Sequence, residues 1–170
     1  MWEYYGQKRP PFALEPQEGQ ESVWDYPRPP VVRSFEGLVE VKRKGNIIAR
    51  SERACRVMET ASPPGYYIPP DDTASKWLQP APGRSFCEWK GEAGYWSLIG
   101  ESRGKPVGWS YSVPNAGYRM LAGYISFYPA RIECYVNGER VRPQPGEFYG
   151  GWITGSVVGP FKGEPGTENW

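Results

Sequence analysis

The segment Ile132-Glu-Cys-Tyr-Val-Asn-Gly-Glu-Arg-Val-Arg142 decides the fold class of this chain. Its centre, Asn137-Gly138, is the dipeptide that most strongly favours a two-residue turn between antiparallel strands. The flanking runs, Ile132 to Val136 and Arg140 to Arg142, supply two short strands. The segment therefore predicts a β-hairpin.

Three further segments alternate their side chains with the period of a half-buried strand. Leu38 to Arg50 alternates on both sides of a Lys44-Gly45-Asn46 turn, which predicts another hairpin. Trp109 to Val113 places large side chains on one face and serines on the other, the clearest strand pattern in the chain. Leu121 to Tyr128 predicts a further strand, which Pro129 ends because proline lacks a donor for the ladder.

Helical signals are scarce. Asp71-Asp72-Thr73 contains residues that cap helices, and it predicts one or two helical turns through Leu78 before Pro80. The spacing of Ala54 to Ala61 fits both a helix and a strand, and we favour a strand because the segment follows Ile47 to Arg50. We therefore expect an all-β, mainly antiparallel fold with one or two short helices.

Turn residues divide the chain into short pieces. Its 21 glycines and 19 prolines fall between runs of aromatic and β-branched residues. With 170 residues, of which 39% are hydrophobic, the chain is long enough to bury the core of one domain. We assign residues 1–20 to an extended N-terminal arm and residues 21–170, including the C-terminal tail, to a single domain.

Composition excludes several function classes. The chain has no histidine and a net charge of +1. Without imidazole it lacks a common metal ligand and general base, so any catalysis rests on thiol, carboxylate, lysine or phenol. Interleaved acidic and basic residues argue against a nucleic-acid partner. No apolar run is long enough for a membrane span, so we expect no membrane partner and a cytosolic protein.

The three cysteines, Cys55, Cys87 and Cys134, form no Cys-x-x-Cys pair. We therefore expect neither a zinc knuckle nor a thioredoxin-type redox site, and we predict no metal site. Free thiols are the expected state, and one disulfide with one free thiol is the alternative in an oxidising compartment. The sequence indicates no particular cofactor.

Five ordered segments resemble a known family. They are Ser22-Val-Trp-Asp-Tyr-Pro-Arg-Pro-Pro30, Tyr66-Tyr-Ile-Pro-Pro70, Phe86-Cys-Glu-Trp-Lys-Gly91, Ala122-Gly-Tyr124 with Phe127-Tyr-Pro129, and Gly159-Pro-Phe-Lys-Gly163. Together they are similar to the domain of unknown function 427 family over roughly Glu21 to Trp170. The resemblance implies a β-tent-like fold, with two small antiparallel sheets pinned together at one edge, similar to methionine sulfoxide reductase B and the ligand-binding domain of cereblon. It implies no activity, because the family is uncharacterised.

Activities of similar proteins are not supported by these residues. β-Tent proteins commonly hold structural zinc with two Cys-x-x-Cys pairs, and a sulfoxide reductase needs a reactive cysteine that no motif marks here. The family has also carried a nucleotidyltransferase-like label. That chemistry normally needs clustered carboxylates for Mg²⁺ and a phosphate-binding glycine loop, whereas aspartate occurs only at Asp25, Asp71 and Asp72. We therefore do not adopt that label.

Cys87 with Lys90 is the most specific chemical candidate, because a nearby ammonium stabilises a thiolate. In a regular strand the two side chains face opposite sides, so they meet only if a bulge intervenes. The alternative is a buried, inert Cys87. Glu59 and Glu88 are further candidate acids or bases, and ordinary solvated ion pairs are the alternative for both.

The aromatic composition predicts a pocket. The chain has 12 tyrosines and 8 tryptophans but only 6 phenylalanines, and the polar tips of tyrosine and tryptophan need partners. We expect a pocket between the sheets that binds a planar or cationic ligand by stacking and cation–π contact, with Lys90, Arg119 or Lys162 at its rim. Aromatic residues that only fill the core are the alternative. The candidate ligand-binding residues are Trp89, Tyr95, Trp109, Tyr124, Tyr128, Tyr149 and Trp152.

Three functions remain open at this point. In the first, a bacterial-type cytosolic domain binds a small ligand in the aromatic pocket. In the second, an enzyme of unknown reaction uses Cys87 or a buried glutamate, with Lys90 as the electrostatic group. In the third, a homo-oligomer or interaction module packs its proline-rich arms, residues 1–30 and 159–170, on a neighbouring molecule.

Overall fold

The computed structural model describes residues 1–101 and 104–170, and short β-strands make up most of its regular structure. The strands are β1 (Glu21–Ser22), β2 (Val31–Ser34), β3 (Val39–Arg43), β4 (Asn46–Ser51), β5 (Cys55–Met58), β6 (Gly65–Tyr67), β7 (Leu78–Cys87), β8 (Gly91–Leu98), β9 (Gly108–Ser110), β10 (Ile125–Phe127), β11 (Glu133–Val136), β12 (Glu139–Arg140), β13 (Arg142–Pro143), β14 (Trp152–Ile153) and β15 (Val157–Val158). The helical segments of these ranges are 3-10 helices at Val23–Asp25, Pro70–Asp72, Ser75–Trp77 and Ala116–Leu121. The predicted all-β class is confirmed.

Two four-stranded antiparallel sheets dominate the fold. One has the order β12-β11-β3-β4 and the other has the order β10-β9-β8-β7. A three-stranded sheet, β2-β5-β6, and two pairs of two-residue strands, β13-β14 and β1-β15, accompany them. Only the β1-β15 pair among these ladders is parallel. The predicted pair of small sheets thus corresponds to the two larger sheets of a structure that also has three smaller ones.

Both predicted hairpins are present. In the β11-β12 hairpin, Val136 pairs with Glu139, and Asn137 and Gly138 both have positive φ, at 49° and 81°. These angles suit a tight turn whose twist matches that of the flanking strands. In the β3-β4 hairpin the turn is Lys44-Gly45, since Asn46 already pairs with Arg43.

Three further predicted segments have different outcomes in the structure. Ala54 to Ala61 contains strand β5, as favoured, and the segment from Asp71 to Leu78 contains 3-10 turns. The strand predicted at Leu121 to Tyr128 is only three residues long. It begins at Ile125 because Leu121 closes a 3-10 helix and Gly123 adopts a φ of 76°, which a continuous strand does not allow.

The main core lies against the two four-stranded sheets. It buries β-branched and aromatic side chains from both of them, among them Val39, Val41 and Phe127. Trp152 is fully buried at its centre, stacks on Tyr66 at 5.0 Å between ring centroids, and donates its indole N–H to the carbonyl of Phe127 at 2.9 Å. This hydrogen bond satisfies the polar tip that a buried tryptophan otherwise leaves unpaired.

A second cluster gathers both ends of the chain around Trp24. The Trp24 ring is fully buried, and the rings of Tyr4, Phe12 and Trp170 lie 5.1 to 5.2 Å from it in edge-on contacts. Its indole N–H donates to the carbonyl of Pro160 at 3.1 Å. The N-terminal arm and the C-terminal tail therefore pack on the same chain. Separately, the described ranges contain no helix with the length and apolar character of a membrane span.

Replacing Trp152 by alanine tests the central role of this side chain in the core. Removing a fully buried indole is expected to lower the free energy of unfolding by about 3–5 kcal/mol, measured by urea denaturation. Phe148, which is 73% exposed, provides the control: Phe148→Ala is expected to change stability by no more than about 0.5 kcal/mol. Equal losses from the two substitutions would contradict this assignment.

Candidate functional site

A cavity of about 490 Å³ lies beside the β7–β10 sheet, on the face opposite the main core. Residues Tyr95 and Trp109 are directly paired across strands β8 and β9 and line the cavity. The adjacent row, which includes Trp96 and Phe127, turns to the other face and packs in the core. The alternation of this sheet thus separates cavity from core, and the volume lies within the range of small-molecule pockets.

Aromatic side chains build one wall of the cavity. The centroid of the Trp109 ring lies 4.5 Å from that of Tyr128 and 6.1 Å from that of Tyr67, the second contact being edge-on. The Trp109 indole N–H also donates to the Tyr67 hydroxyl at 3.3 Å. Trp109 is therefore held in place by neighbours on two sides, while its remaining surface faces the cavity.

Gly150 allows this wall to form. A Cβ atom at this position would overlap the Trp109 ring and would lie 3.0 Å from the Tyr128 ring. At Gly151 a Cβ atom would instead meet Gln144 and Pro63. The close approach to the Gly150-Gly151 main chain is therefore made by side chains of the protein itself.

A tight turn brings Lys90 to Cys87. Cys87 ends β7 and pairs with Gly91, the first residue of β8, so the intervening Glu88, Trp89 and Lys90 form the turn between the two strands. Gly91 has a φ of 104°, which favours glycine, and Asn115 holds the turn through hydrogen bonds to the carbonyls of Trp89 and Lys90. The thiol and the ammonium thus share the cavity through a turn, not through the bulge that a regular strand would have required.

The charge of Lys90 is buried among phenols and the thiol. The side chain is only 9% exposed, and its Nζ atom lies 5.8 Å from the centroid of Tyr111. Burial alone would lower the pKa of Lys90, but attraction to the groups that ionise around it, Tyr67, Cys87 and Glu59, outweighs burial and raises the pKa above its usual value. Burial raises the pKa of both Tyr67 and Tyr111, so these phenols keep their protons at neutral pH. Lys90 is therefore a cation in this wall at neutral pH.

Lys162 is a second buried cation, and its pKa is lowered where that of Lys90 is raised. Its Nζ atom lies 3.8 Å from the centroid of the Trp2 ring and donates to the carbonyls of Glu168 at 3.0 Å and Trp170 at 3.4 Å. Burial, and then the positive charge of Arg28, lower the pKa of Lys162 to about 8. A fraction of this amine is therefore neutral near physiological pH.

Glu59 lines the cavity, and its negative charge is neutralised by the buried Arg28. Its carboxylate accepts a hydrogen bond from Arg28 Nε at 3.0 Å, and the Arg28 side chain is completely buried. Arg28 also donates to the carbonyls of Tyr4 and Thr60, at 2.8 and 2.9 Å, and its guanidinium lies 4.3 Å from the centroid of the Trp2 ring. The ion pair holds the N-terminal arm against the cavity.

The structure brings most of the predicted site residues together. Those that line the cavity are Cys87, Lys90, Glu59, Trp89, Tyr95, Trp109, Tyr128 and Tyr149. Tyr124 is absent from the lining because it packs beside the neighbouring apolar cluster after the 3-10 helix shortens its strand. Trp152 is absent because it occupies the main core. Arg119, predicted at the rim with Lys90 and Lys162, also does not line the cavity.

Sequence reasoning missed three residues that shape the cavity. Trp2 belongs to the N-terminal arm, where no periodic pattern of side chains indicates a site. Tyr67 follows Tyr66 in the chain, but Tyr66 packs in the main core whereas Tyr67 packs in another cluster and lines the cavity. Arg28 stands inside the Ser22–Pro30 motif, so its place among aromatic and proline residues is a signal for burial. Only the tertiary structure shows that it faces Glu59.

The aspartates do not form a carboxylate cluster. Asp25 binds Arg9 at 2.7 Å, and Asp72 binds Arg53 at 2.7 Å. Within residues 1–101 and 104–170, no group of three or more cysteine, aspartate or glutamate side chains is arranged to hold a metal ion. The geometry offers no support for the nucleotidyltransferase-like label.

Comparison with known proteins identifies the family. The family model described as a domain of unknown function (DUF427) matches residues 31–138, well over half of the chain, and the chain therefore belongs to this family. Three of the five resembling segments lie in that range, while Ser22–Pro30 and Gly159–Gly163 lie outside it. None of the curated proteins compared with the chain matches it.

The two buried lysines are expected to titrate on opposite sides of the ordinary value. Following the ¹³Cε chemical shifts of labelled lysine against pH, Lys162 should titrate near pH 8 and Lys90 above 10.5. Lys162→Arg and Lys90→Arg variants assign the two resonances, and the exposed Lys44 serves as the internal reference. The pKa of Lys162 is lower in the folded chain than in the unfolded chain, so its contribution to stability should increase as pH rises from 8 towards 10.5. Titration of Lys162 together with Lys44 would refute the buried arrangement.

Proposed function

We propose that this member of the DUF427 family binds a small planar ligand in the cavity beside the β7–β10 sheet, by stacking on Trp109 in the wall that also contains Tyr95. The observation that carries the proposal is the position of Trp109, whose ring is held by Tyr67 and Tyr128 and lines the cavity. A preformed aromatic surface loses little conformational entropy when it binds a flat molecule.

The division of aromatic residues supports a binding site over simple core filling. Tryptophans in the core and in the terminal cluster donate their indole N–H groups to backbone carbonyls, as Trp152 and Trp24 do. In the cavity wall, the indole N–H of Trp89 is buried without a hydrogen-bond partner among the described residues. Trp89 thus differs from Trp152 and Trp24, whose rings are fixed by hydrogen bonds to the backbone.

Ligand binding is tested by thermal unfolding in the presence of two-ring planar compounds, naphthalene and quinoline derivatives of either charge. A compound that binds the folded state raises the unfolding midpoint. Trp109→Ala removes the main stacking surface and is expected to weaken the best compound at least about tenfold. Tyr135, which is half-buried on β11 outside the cavity, provides the matched control Tyr135→Ala, which should leave affinity unchanged.

Gly150→Ala supplies a second variant in which Trp109 is displaced instead of removed. The added methyl group overlaps the Trp109 ring, so affinity should fall although every lining side chain is retained. If no two-ring compound of any charge stabilises the protein, the proposed binding function is wrong. If binding persists undiminished in both variants, the wall is not the binding surface.

Thiol chemistry in the same cavity is the second candidate function. The turn that places Lys90 and Cys87 in one cavity favours it, because cysteine nucleophiles are typically found beside a cationic side chain. Cys134 is fully buried, and burial raises the pKa of both Cys134 and Cys55. Cys87 is thus the cysteine with a cationic neighbour inside a cavity.

Limited alkylation with iodoacetamide at pH 7 tests this candidate. Mass spectrometry should show Cys87 labelled faster than Cys55, which is half-buried like Cys87 and serves as the internal control. Lys90→Met should slow the labelling of Cys87 about tenfold and leave that of Cys55 unchanged, since only the ammonium beside Cys87 is removed. Equal rates for Cys87 and Cys55 in the unsubstituted chain would exclude an activated thiol.

A further inference from the structure

We propose that the ligand of this cavity is a planar anion, an aromatic or conjugated carboxylate, whose carboxylate is bound by Lys90 while its ring stacks on Trp109. This inference rests on the proposed binding function and names the chemical class of the ligand. It follows from the sign of the buried charges and from the positions that cations of the protein already occupy on the aromatic rings.

The buried charge of the cavity wall is positive. Lys90 and Lys162 are 9% and 3% exposed, and neither takes part in an ion pair among residues 1–101 and 104–170. The half-buried carboxylate, Glu59, is neutralised by the completely buried Arg28. An anion bound in the cavity would be stabilised by both ammonium groups, because charges attract more strongly away from bulk water.

The remaining carboxylates of the cavity lie at its outer rim. Glu147 is exposed and forms an ion pair with Lys105 at 3.0 Å, in which both side chains are more than half exposed. Glu88 is exposed and accepts the indole N–H of Trp2 at 3.0 Å. Solvent screens both charges, and they therefore do little to cancel the positive charge inside.

Lys90 offers only donors to a ligand. Its side chain lines the cavity, and an ammonium has three N–H donors and no acceptor. The group that it binds must therefore carry an acceptor, and hydrogen bonds between two ionised groups are the strongest. An ionised carboxylate offers two acceptor oxygens together with a full negative charge.

A cationic ligand is disfavoured because cations of the protein already occupy the aromatic faces. Lys162 lies over Trp2 and, at 5.4 Å, over Tyr149, while Arg131 lies 4.1 Å from the centroid of Tyr128. The ring of Tyr111 has Lys90 at 5.8 Å. A ligand cation would meet like charges at each of these rings, which selects against it. Of the planar or cationic ligands expected from the sequence, the geometry therefore favours a planar one with negative charge.

The group is better matched to a carboxylate than to a phosphate. Phosphate sites typically combine arginine forks or a run of backbone N–H groups. The buried guanidinium of Arg28 is already committed to Glu59 and to the carbonyls of Tyr4 and Thr60. The guanidinium of Arg131, which lines the cavity, donates to the carbonyls of Pro106 and Glu147. Lys90 supplies a point charge without an arginine fork, which suits a carboxylate.

Three probes that share one ring system test the inference on the full chain: 2-naphthoate, 2-naphthylmethanol and 2-naphthylmethylammonium, compared by calorimetry at low ionic strength. We expect 2-naphthoate to bind at least about tenfold more tightly than the neutral alcohol, and the ammonium compound to bind most weakly, since a charge-assisted hydrogen bond contributes roughly this factor. Equal affinities for the three probes would overturn the charge assignment and leave the aromatic binding function intact. Absence of binding by all three would overturn the binding function itself.

Substitutions assign the carboxylate to its donors. Lys90→Met, which keeps the length of the side chain without its charge, should weaken 2-naphthoate about tenfold or more and change the affinity for 2-naphthylmethanol by less than about threefold. Lys76→Met, at an exposed lysine outside the cavity, is the matched control and should alter neither affinity. Parallel losses for the acid and the alcohol in Lys90→Met would overturn the assignment of the carboxylate to Lys90.

Discussion

The buried guanidinium of Arg28 is the interaction on which the arrangement of the cavity depends. It joins the arm through the carbonyl of Tyr4, the segment after β5 through Glu59 and the carbonyl of Thr60, and the wall of the cavity through the ring of Trp2. A buried guanidinium is tolerated only when its donors are satisfied and its charge is compensated. Because Arg28 meets both conditions inside the chain, it also affects the charge of the cavity, since it pairs with the negative charge of Glu59, which lines the cavity beside the positively charged Lys90.

A second constraint is the polar tip carried by nearly every large aromatic side chain of this protein. In the core and the terminal cluster, backbone carbonyls accept these tips, and the rings of Trp152 and Trp24 contribute burial and edge or face contacts. In the cavity wall, the tip of Trp109 meets the Tyr67 hydroxyl and the tip of Trp89 meets no described partner. The excess of tryptophan and tyrosine over phenylalanine thus serves both purposes that the composition left open, core filling and a pocket wall.

Much of the local structure could be predicted from the sequence, because it depends on residues close together along the chain. Asn137-Gly138 and the turn before Asn46 determine their hairpins through backbone conformations that few other residues adopt. The same reasoning fails at Leu121, where alternation suggests a strand but a 3-10 helix continues to that residue. It also wrongly separates Lys90 from Cys87, because alternation holds within a strand and Lys90 lies in the turn that follows Cys87.

The sequence by itself determined the all-β class, the two hairpins, the family and a set of candidate residues of which most line one cavity. Only the tertiary structure decided that Trp152 belongs to the core, that Trp2 closes the cavity from the arm, and that Arg28 neutralises Glu59. The physical reason is how far apart along the chain the interacting residues lie. Turn and strand preferences act between neighbouring residues, whereas burial, the compensation of charge and the satisfaction of indole donors depend on contacts between segments far apart in the chain, such as Trp2 with Lys162.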